Sequence, residues 1–577
     1  MLRTTTLAFS TLALALAPLA PALQAREGAE IPSLGVHLRL ESAPDLRLAV
    51  QVTVLGEQDG ETAFAVSKDW GGVPPERIDL LDASAQDSLE KELHVKRDSN
   101  VQWTVQHDPG ATITLTTWLL PAELRNSGDS ADHYRPLLEP DLFQAVGHLL
   151  VPRPMLEGAE DEKVRLDLSF SGFEEAGWSV AHSFGLGSGP VSVEETRSRI
   201  SGMLFNAGEI QVGTREIRGG TIALALDSTK WKFEGEELTE LAAEVVNLQR
   251  EFMDDDGAPF YFISAIRVGP DNSPGFSLGG TGLTNSFALF MQSNTVIAPD
   301  SVMGPEVLKL LSHECFHEYN GTRIRLAQPD VRNYWFSEGF TEYFARQLLL
   351  EDQLLDPGRY VQWLNETLRS YHESPVRNLP AVKLAKIFWS DMNGQQQPYL
   401  RGELVAILAE HAIRQHTGGE KTLADYMRVL LAKSSAQPSL RFDTQRLLEE
   451  LGAFTGPEIL PTLRSICVDG ATAVLPPDVL GERFVFEATQ SYAFEAGFDT
   501  NASSAALRVM GLVEDSAAHK AGLLEGDAIL ALNMEAGRTD IPIAITVRSS
   551  PDVAPRKLSY YPRGKEIQLP RVRLAKE

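Results

Sequence analysis

The string His313-Glu314-Cys315-Phe316-His317 sets two imidazoles four residues apart with a carboxylate beside the first. The residues just before it include Val307, Leu308, Leu310 and Leu311, an apolar pattern that predicts a helix. At about 3.6 residues per turn, positions i and i+4 stand one above the other, so both imidazoles face one point in space. That arrangement is a two-pronged clamp for zinc. Glu314 lies about 100° round the helix from the first histidine, where a carboxylate can take a proton from a water at the metal without becoming a ligand. It is the natural general base.

A catalytic zinc site takes three protein ligands and leaves one position open. Twenty residues separate His317 from Glu338, which lies in Tyr334-Trp335-Phe336-Ser337-Glu338-Gly339-Phe340-Thr341-Glu342-Tyr343-Phe344, opens an apolar helical segment and suits the third place. The expected set is His313, His317 and Glu338, holding one zinc ion per chain. Glu342 lies one turn further on the same face and can accept a hydrogen bond from the distal nitrogen of a ligand histidine, fixing its tautomer; a solvated helix carboxylate is the alternative. A third block, Tyr399-Leu400-Arg401-Gly402-Glu403-Leu404, offers a phenol ahead of an apolar run. Amide hydrolysis develops an oxyanion, which a phenolic donor stabilises, so Tyr399 is the candidate for that role, with packing as the alternative.

The elements that must position these residues change character along the chain. Short alternating segments such as VHLRLES, LRLAVQVTVLG and KVRLDLSFSG fill the first 200 residues and predict an antiparallel β domain, residues 26–200. The polar stretch at 81–100 between them reads as a surface loop. From about 220 the pattern runs strand (TIALALD), helix (ELTELAAEVVNLQREF), strand (FYFISAIRV), and helices dominate from about 300 to 465. The Pro- and Gly-rich segment after Cys467 reads as a linker, and strand, short helix, turn and strand signals then mark a small β-rich domain over 481–577. The fold class expected is multidomain α+β.

A chain of 577 residues has room for several such domains, and its composition is that of a globular protein. Lys and Arg number 52 against 79 Asp and Glu, a formal charge of −27, which repels phosphate backbones and argues against a nucleic-acid partner. Residues 1–25 carry Arg3, an apolar run from Leu7 to Leu16 and the small-x-small sequence Ala20-Pro21-Ala22, which predict a signal peptide and export to the periplasm or the extracellular space. The apolar run falls short of the about 20 residues of a membrane span, and no second one follows, so none is expected after cleavage. Cys315 and Cys467 are the only cysteines, too few for a disulfide framework.

In the stretches HECFHEYNGTRIR, WFSEGFTEYF, YLRGELVAIL and AGLLEGDAILALN the chain resembles the glycyl aminopeptidase family of zinc metallopeptidases, within the gluzincin clan. The first three are similar to the family's zinc helix, third-ligand helix and tyrosine helix, and the fourth to the core of a PDZ domain, which the family often appends. The resemblance implies a thermolysin-like catalytic domain over 201–350, a helical domain over 351–470, a linker at 471–480, a PDZ-like domain over 481–577, and peptide or protein substrates. It also implies peptide C-termini as possible partners of the PDZ-like domain. Two features depart from the family pattern. Where members place a Gly-Gly-x-Glu stretch whose acid fixes the substrate's free α-amine, this chain has Gly279-Gly280-Thr281-Gly282. Gly279 and Gly280 still suit a backbone-binding edge strand, with a plain turn as the alternative, but Gly282 brings no carboxylate. The interval between His317 and Glu338 is also shorter than usual. An exported aminopeptidase-type metallopeptidase is therefore the leading expectation; endopeptidase action, and a PDZ-bearing scaffold with an idle peptidase domain, are the others.

Overall fold

The computed structural model describes residues 31–42, 44–68, 70–78, 80–121, 133–155, 160–227, 231–268 and 278–575. The expected signal peptide, residues 1–25, lies outside the described residues. The chain divides into two compact units, Met1–Glu318 and Tyr319–Glu577.

The first unit begins with a ten-stranded sheet built on the alternation seen in the sequence. In Ser33–Glu41 every second residue is buried, and the antiparallel neighbour Arg47–Leu55 sets Val54, Val52, Val50 and Leu48 opposite Leu34, Val36, Leu38 and Leu40. Lys163–Ser171 flanks the first strand on its other side in parallel register, adding Leu166, Leu168 and Phe170 to the same face. A slip of one residue would turn all of these side chains outward, so burial itself fixes the register. Apart from this parallel pair, the pairings of the sheet are antiparallel. The polar stretch expected to be a loop instead forms two of its strands, Leu80–Asp87 and Glu92–Ser99. In Glu92–Ser99 no side chain is fully buried, so the strand exists through its backbone partners and carries no apolar alternation to read.

A second sheet of five short strands includes Leu142–Val146 and Leu204–Gly208. The third sheet runs in the order Ile210–Ile217, Gly220–Asp227, Phe260–Arg267, Ser286–Met291, Leu278–Leu283. Its three central strands are parallel and buried almost throughout, as expected of strands covered on both faces, and its two edge strands are antiparallel. The strand, helix, strand reading holds here. Gly235–Met253 is the crossover helix between the first two parallel strands, and it packs against the helix Gly304–Phe316.

The second unit is mainly helical as far as residue 469. Gly339–Glu351, Pro357–Glu373, Met392–His416, Leu423–Ala436 and Thr444–Thr455 are its principal helices. Asp356, Asp391 and Asp443 cap three of them with side-chain oxygens that accept main-chain N–H groups. Beyond the irregular stretch 470–480, the strands Phe484–Phe494 and Arg563–Leu574 pair as a ribbon, and Ala528–Asn533, Ile543–Arg548 and Arg556–Tyr560 form a separate sheet. Val509, Ala518, Leu523, Ile545 and Val547 give this last segment a small core of its own. Among the described residues no helix is long and apolar enough to cross a membrane.

Candidate metal centre

The 304–316 helix is held on both sides next to its ligands. Gln249 of the crossover helix donates its amide to the Ser312 carbonyl at 2.6 Å, immediately before His313. Tyr261 of the strand Phe260–Arg267 hydrogen bonds the Cys315 thiol, and burial pushes that thiol up to about 12. Cys315 and Cys467 are both buried free thiols. The helix ends at Phe316, one residue before the second histidine, because the last turn tightens: the His317 N–H reaches Glu314 O, three residues back. His317 keeps helical angles (φ −63, ψ −13), so the i, i+4 alignment survives.

The two imidazoles converge, with Nε2 of His313 and Nε2 of His317 3.2 Å apart and both rings buried. Two nitrogens on one tetrahedral zinc, each about 2.0–2.1 Å from it, stand about 3.3 Å apart, so the observed spacing suits a shared ion. Glu338 completes the group: one ligand atom from each of His313, His317 and Glu338 lies within 4.8 Å of the others, and all three residues are buried. A two-nitrogen, one-carboxylate set is a fitting donor set for catalytic zinc. Glu314, beside the first ligand, is buried as well.

Glu338 sits at the junction of the short helix Tyr334–Ser337 and the helix Gly339–Glu351. Asn320 pins that junction. Fully buried, it donates its amide to Phe336 O at 3.0 Å, Ser337 O at 3.2 Å and Thr341 Oγ1 at 3.1 Å, bracketing the ligand on both sides. The 339–351 helix then meets the 392–416 helix at two glycines. A side chain on Gly402 would overlap the Trp335 carbonyl oxygen and come within 2.7 Å of Gly339 Cα, so the backbones touch where Glu338 and Tyr399 enter. Tyr399 is buried three residues before this contact.

A buried ion-pair network also joins the same two helices. Arg346 Nη1 donates to both oxygens of Glu403, at 2.8 and 3.0 Å, and to Thr367 Oγ1 at 2.8 Å, while Thr367 donates to Glu403 in turn. Arg346 Nε stands 3.2 Å from Glu342 Oε2. Glu342 is thus a buried carboxylate joined to Arg346, not a solvated one. Asn320, Arg346, Glu403 and the glycine pair escaped the sequence reading, although Gly339 and Gly402 stand within the two strings that carry Glu338 and Tyr399.

Gly279 and Gly280 lie in the edge strand Leu278–Leu283, not in a turn. A side chain on Gly280 would overlap the Phe287 ring, which gives that glycine a packing reason. Gly282, in contrast, faces the metal helix without overlap: a Cβ there would touch it at ordinary contact distance, 3.4 Å from His317 Cβ and 3.5 Å from Glu314 O.

Residues 306–405 match the family model described as M61 glycyl aminopeptidase. With the ligand group assembled inside that match, the enzyme is a zinc metallopeptidase. Among solved structures the chain is similar to an aminopeptidase N family protein from Idiomarina loihiensis, at TM-score 0.69 and 16% identity over 93% of this chain and 98% of that one, which shows a shared fold. It is also similar to an M1 zinc metallopeptidase from Deinococcus radiodurans, at TM-score 0.46 and 16% identity over 78% of this chain and 96% of that one. No curated protein matches the sequence.

Proposed function

We propose that the protein is an exported, aminopeptidase-type metallopeptidase that hydrolyses peptide bonds with Glu314 as general base. The observation that carries this reading is the buried group of His313, His317 and Glu338, with a second buried carboxylate beside its first member. Zinc held there supplies Lewis acidity toward a water and toward the scissile carbonyl. Glu314 accepts a proton from the attacking water and delivers it to the leaving amine, a role that suits a carboxylate excluded from the ligand set. Tyr399 donates its phenolic hydrogen to the oxygen on which charge develops. Asn320 and the Arg346–Glu403 pair hold Glu338 and Tyr399 in place and touch no reacting atom.

The catalytic part is read as residues 201–350, the helical part as 351–470 after which a linker follows at 471–480, and 481–577 as a PDZ-like module that takes peptide C-termini; the small core around Val509 and Ile545 supports the last of these. Gly282 favours a second reading, endopeptidase action, because the strand 278–283 facing the metal helix has no carboxylate to fix a free α-amine. One peptide offered in free and N-acetylated form separates the two. An aminopeptidase cleaves only the free form and releases its first residue; equal cleavage of both at an internal bond would overturn the aminopeptidase reading in favour of the other.

A further inference from the structure

The Met392–His416 helix carries a buried positive charge that no anion among the described residues answers. Arg401 is 1% exposed, and its Nη2 donates to the main-chain oxygens of Arg377 and Leu379, both at 2.8 Å. Among the described residues its Nε has no hydrogen-bond partner. One turn earlier on the same helix face, Gln397 is fully buried, and neither polar atom of its amide has a partner among the described residues. The titratable side chains that act on Arg401 are the Tyr371 hydroxyl and the Cys467 thiol. Burial pushes both upward, so both are neutral in neutral solution. Arg377, a second cation, also acts on Tyr371, and its own donors go to His372 O and Asn378 Oδ1. Among the described residues, no carboxylate acts on Arg401.

A guanidinium does not shed its proton inside a protein, so the charge stays and must be balanced. Two carbonyl dipoles do part of this. A water satisfies the unpaired donors but leaves the charge unanswered, whereas a small anion does both. We propose that a monovalent inorganic anion, chloride in ordinary media, binds beside Arg401 Nε and the Gln397 amide nitrogen, with a water donating to Gln397 Oε1. The site braces the helix that carries Tyr399, and it does not depend on which peptide bond the enzyme cuts.

The test uses the full-length zinc-loaded protein at fixed pH and ionic strength, with chloride, bromide or gluconate as the anion. Chloride and bromide should raise the thermal midpoint above that in gluconate by about 2–4 °C, saturably. Crystals grown in bromide should show an anomalous peak at Arg401 Nε. Gln397→Leu, which replaces the amide with a group of similar size, should lose at least half of the halide shift, and Arg401→Met all of it; if Arg401→Met does not fold, Gln397→Leu decides. Equal midpoints in chloride and gluconate would overturn the proposal, as would an undiminished halide shift in Gln397→Leu or the absence of an anomalous peak.

Discussion

Replacing Gly402 with alanine tests how closely the two helices bearing Glu338 and Tyr399 are set. The added methyl would overlap the Trp335 carbonyl oxygen and lie 2.7 Å from Gly339 Cα. Relaxed carbon contacts are about 3.5–4.0 Å, so the helices must part by about 1 Å. The move costs stability, by about 1–3 kcal/mol for overpacking of this kind. Its larger effect falls on the site, because a shift of about 1 Å in a positioned catalytic group is worth about 10²-fold in rate. The expected result is therefore a kcat/KM down by about 100-fold in a protein that still folds. Steady-state kinetics on one peptide, with zinc content and thermal midpoint measured on the same preparation, supply the assay. Unchanged kcat/KM together with an unchanged midpoint would refute the reasoning, since it would show that the backbone contact does not set the distance.

Three further perturbations probe other parts of the account. Removing the cation of the buried network, by Arg346→Met, leaves the buried carboxylates Glu342 and Glu403 without their counter-ion and should lower stability by about 3–5 kcal/mol; denaturant unfolding reads this, and a loss below about 1 kcal/mol would contradict it. Neither thiol should react with a disulfide reagent in the native protein at pH 8, since burial pushes Cys315 up to about 12 and Cys467 higher still, and two should react after unfolding. Acid should weaken the fold through His148, His182 and His372, which burial pushes down to about 3, 4 and 4. Below about pH 6.5 the unfolded chain binds protons that these native imidazoles refuse. Stability should therefore fall as pH drops from 6.5 to 4, by an amount on the order of a few kcal/mol, and a flat profile across that window would count against the burial of these rings.

How much of this was legible in the sequence depended on whether a residue acts locally or at a distance. His313, Glu314 and His317 announce themselves because one helical turn fixes their relation, and the structure keeps it although the helix stops at Phe316. The strands with apolar alternation, such as Ser33–Glu41, were equally readable. Glu92–Ser99 was not, since a strand without a fully buried side chain owes its existence to partners elsewhere in the chain. The residues that hold the site, namely Asn320, Arg346, Glu403 and the glycines at 339 and 402, act across 16 to 63 positions of sequence, from the Asn320–Phe336 bond to the contact of residues 339 and 402. Nothing in their spacing reveals a partner. Gly282 marks the opposite case: the missing carboxylate is plain in the sequence, and the structure adds that the position faces His317.

The most direct test of the central claim is the zinc content of the purified protein, by mass spectrometry, alongside cleavage of a peptide mixture before and after chelation and in Glu314→Gln. About one zinc per chain is expected, with cleavage that chelator abolishes and zinc restores, and with a Glu314→Gln variant that keeps its zinc and cuts nothing. A protein that cleaves without zinc, or a Glu314→Gln variant that cleaves at the original rate, would contradict the account.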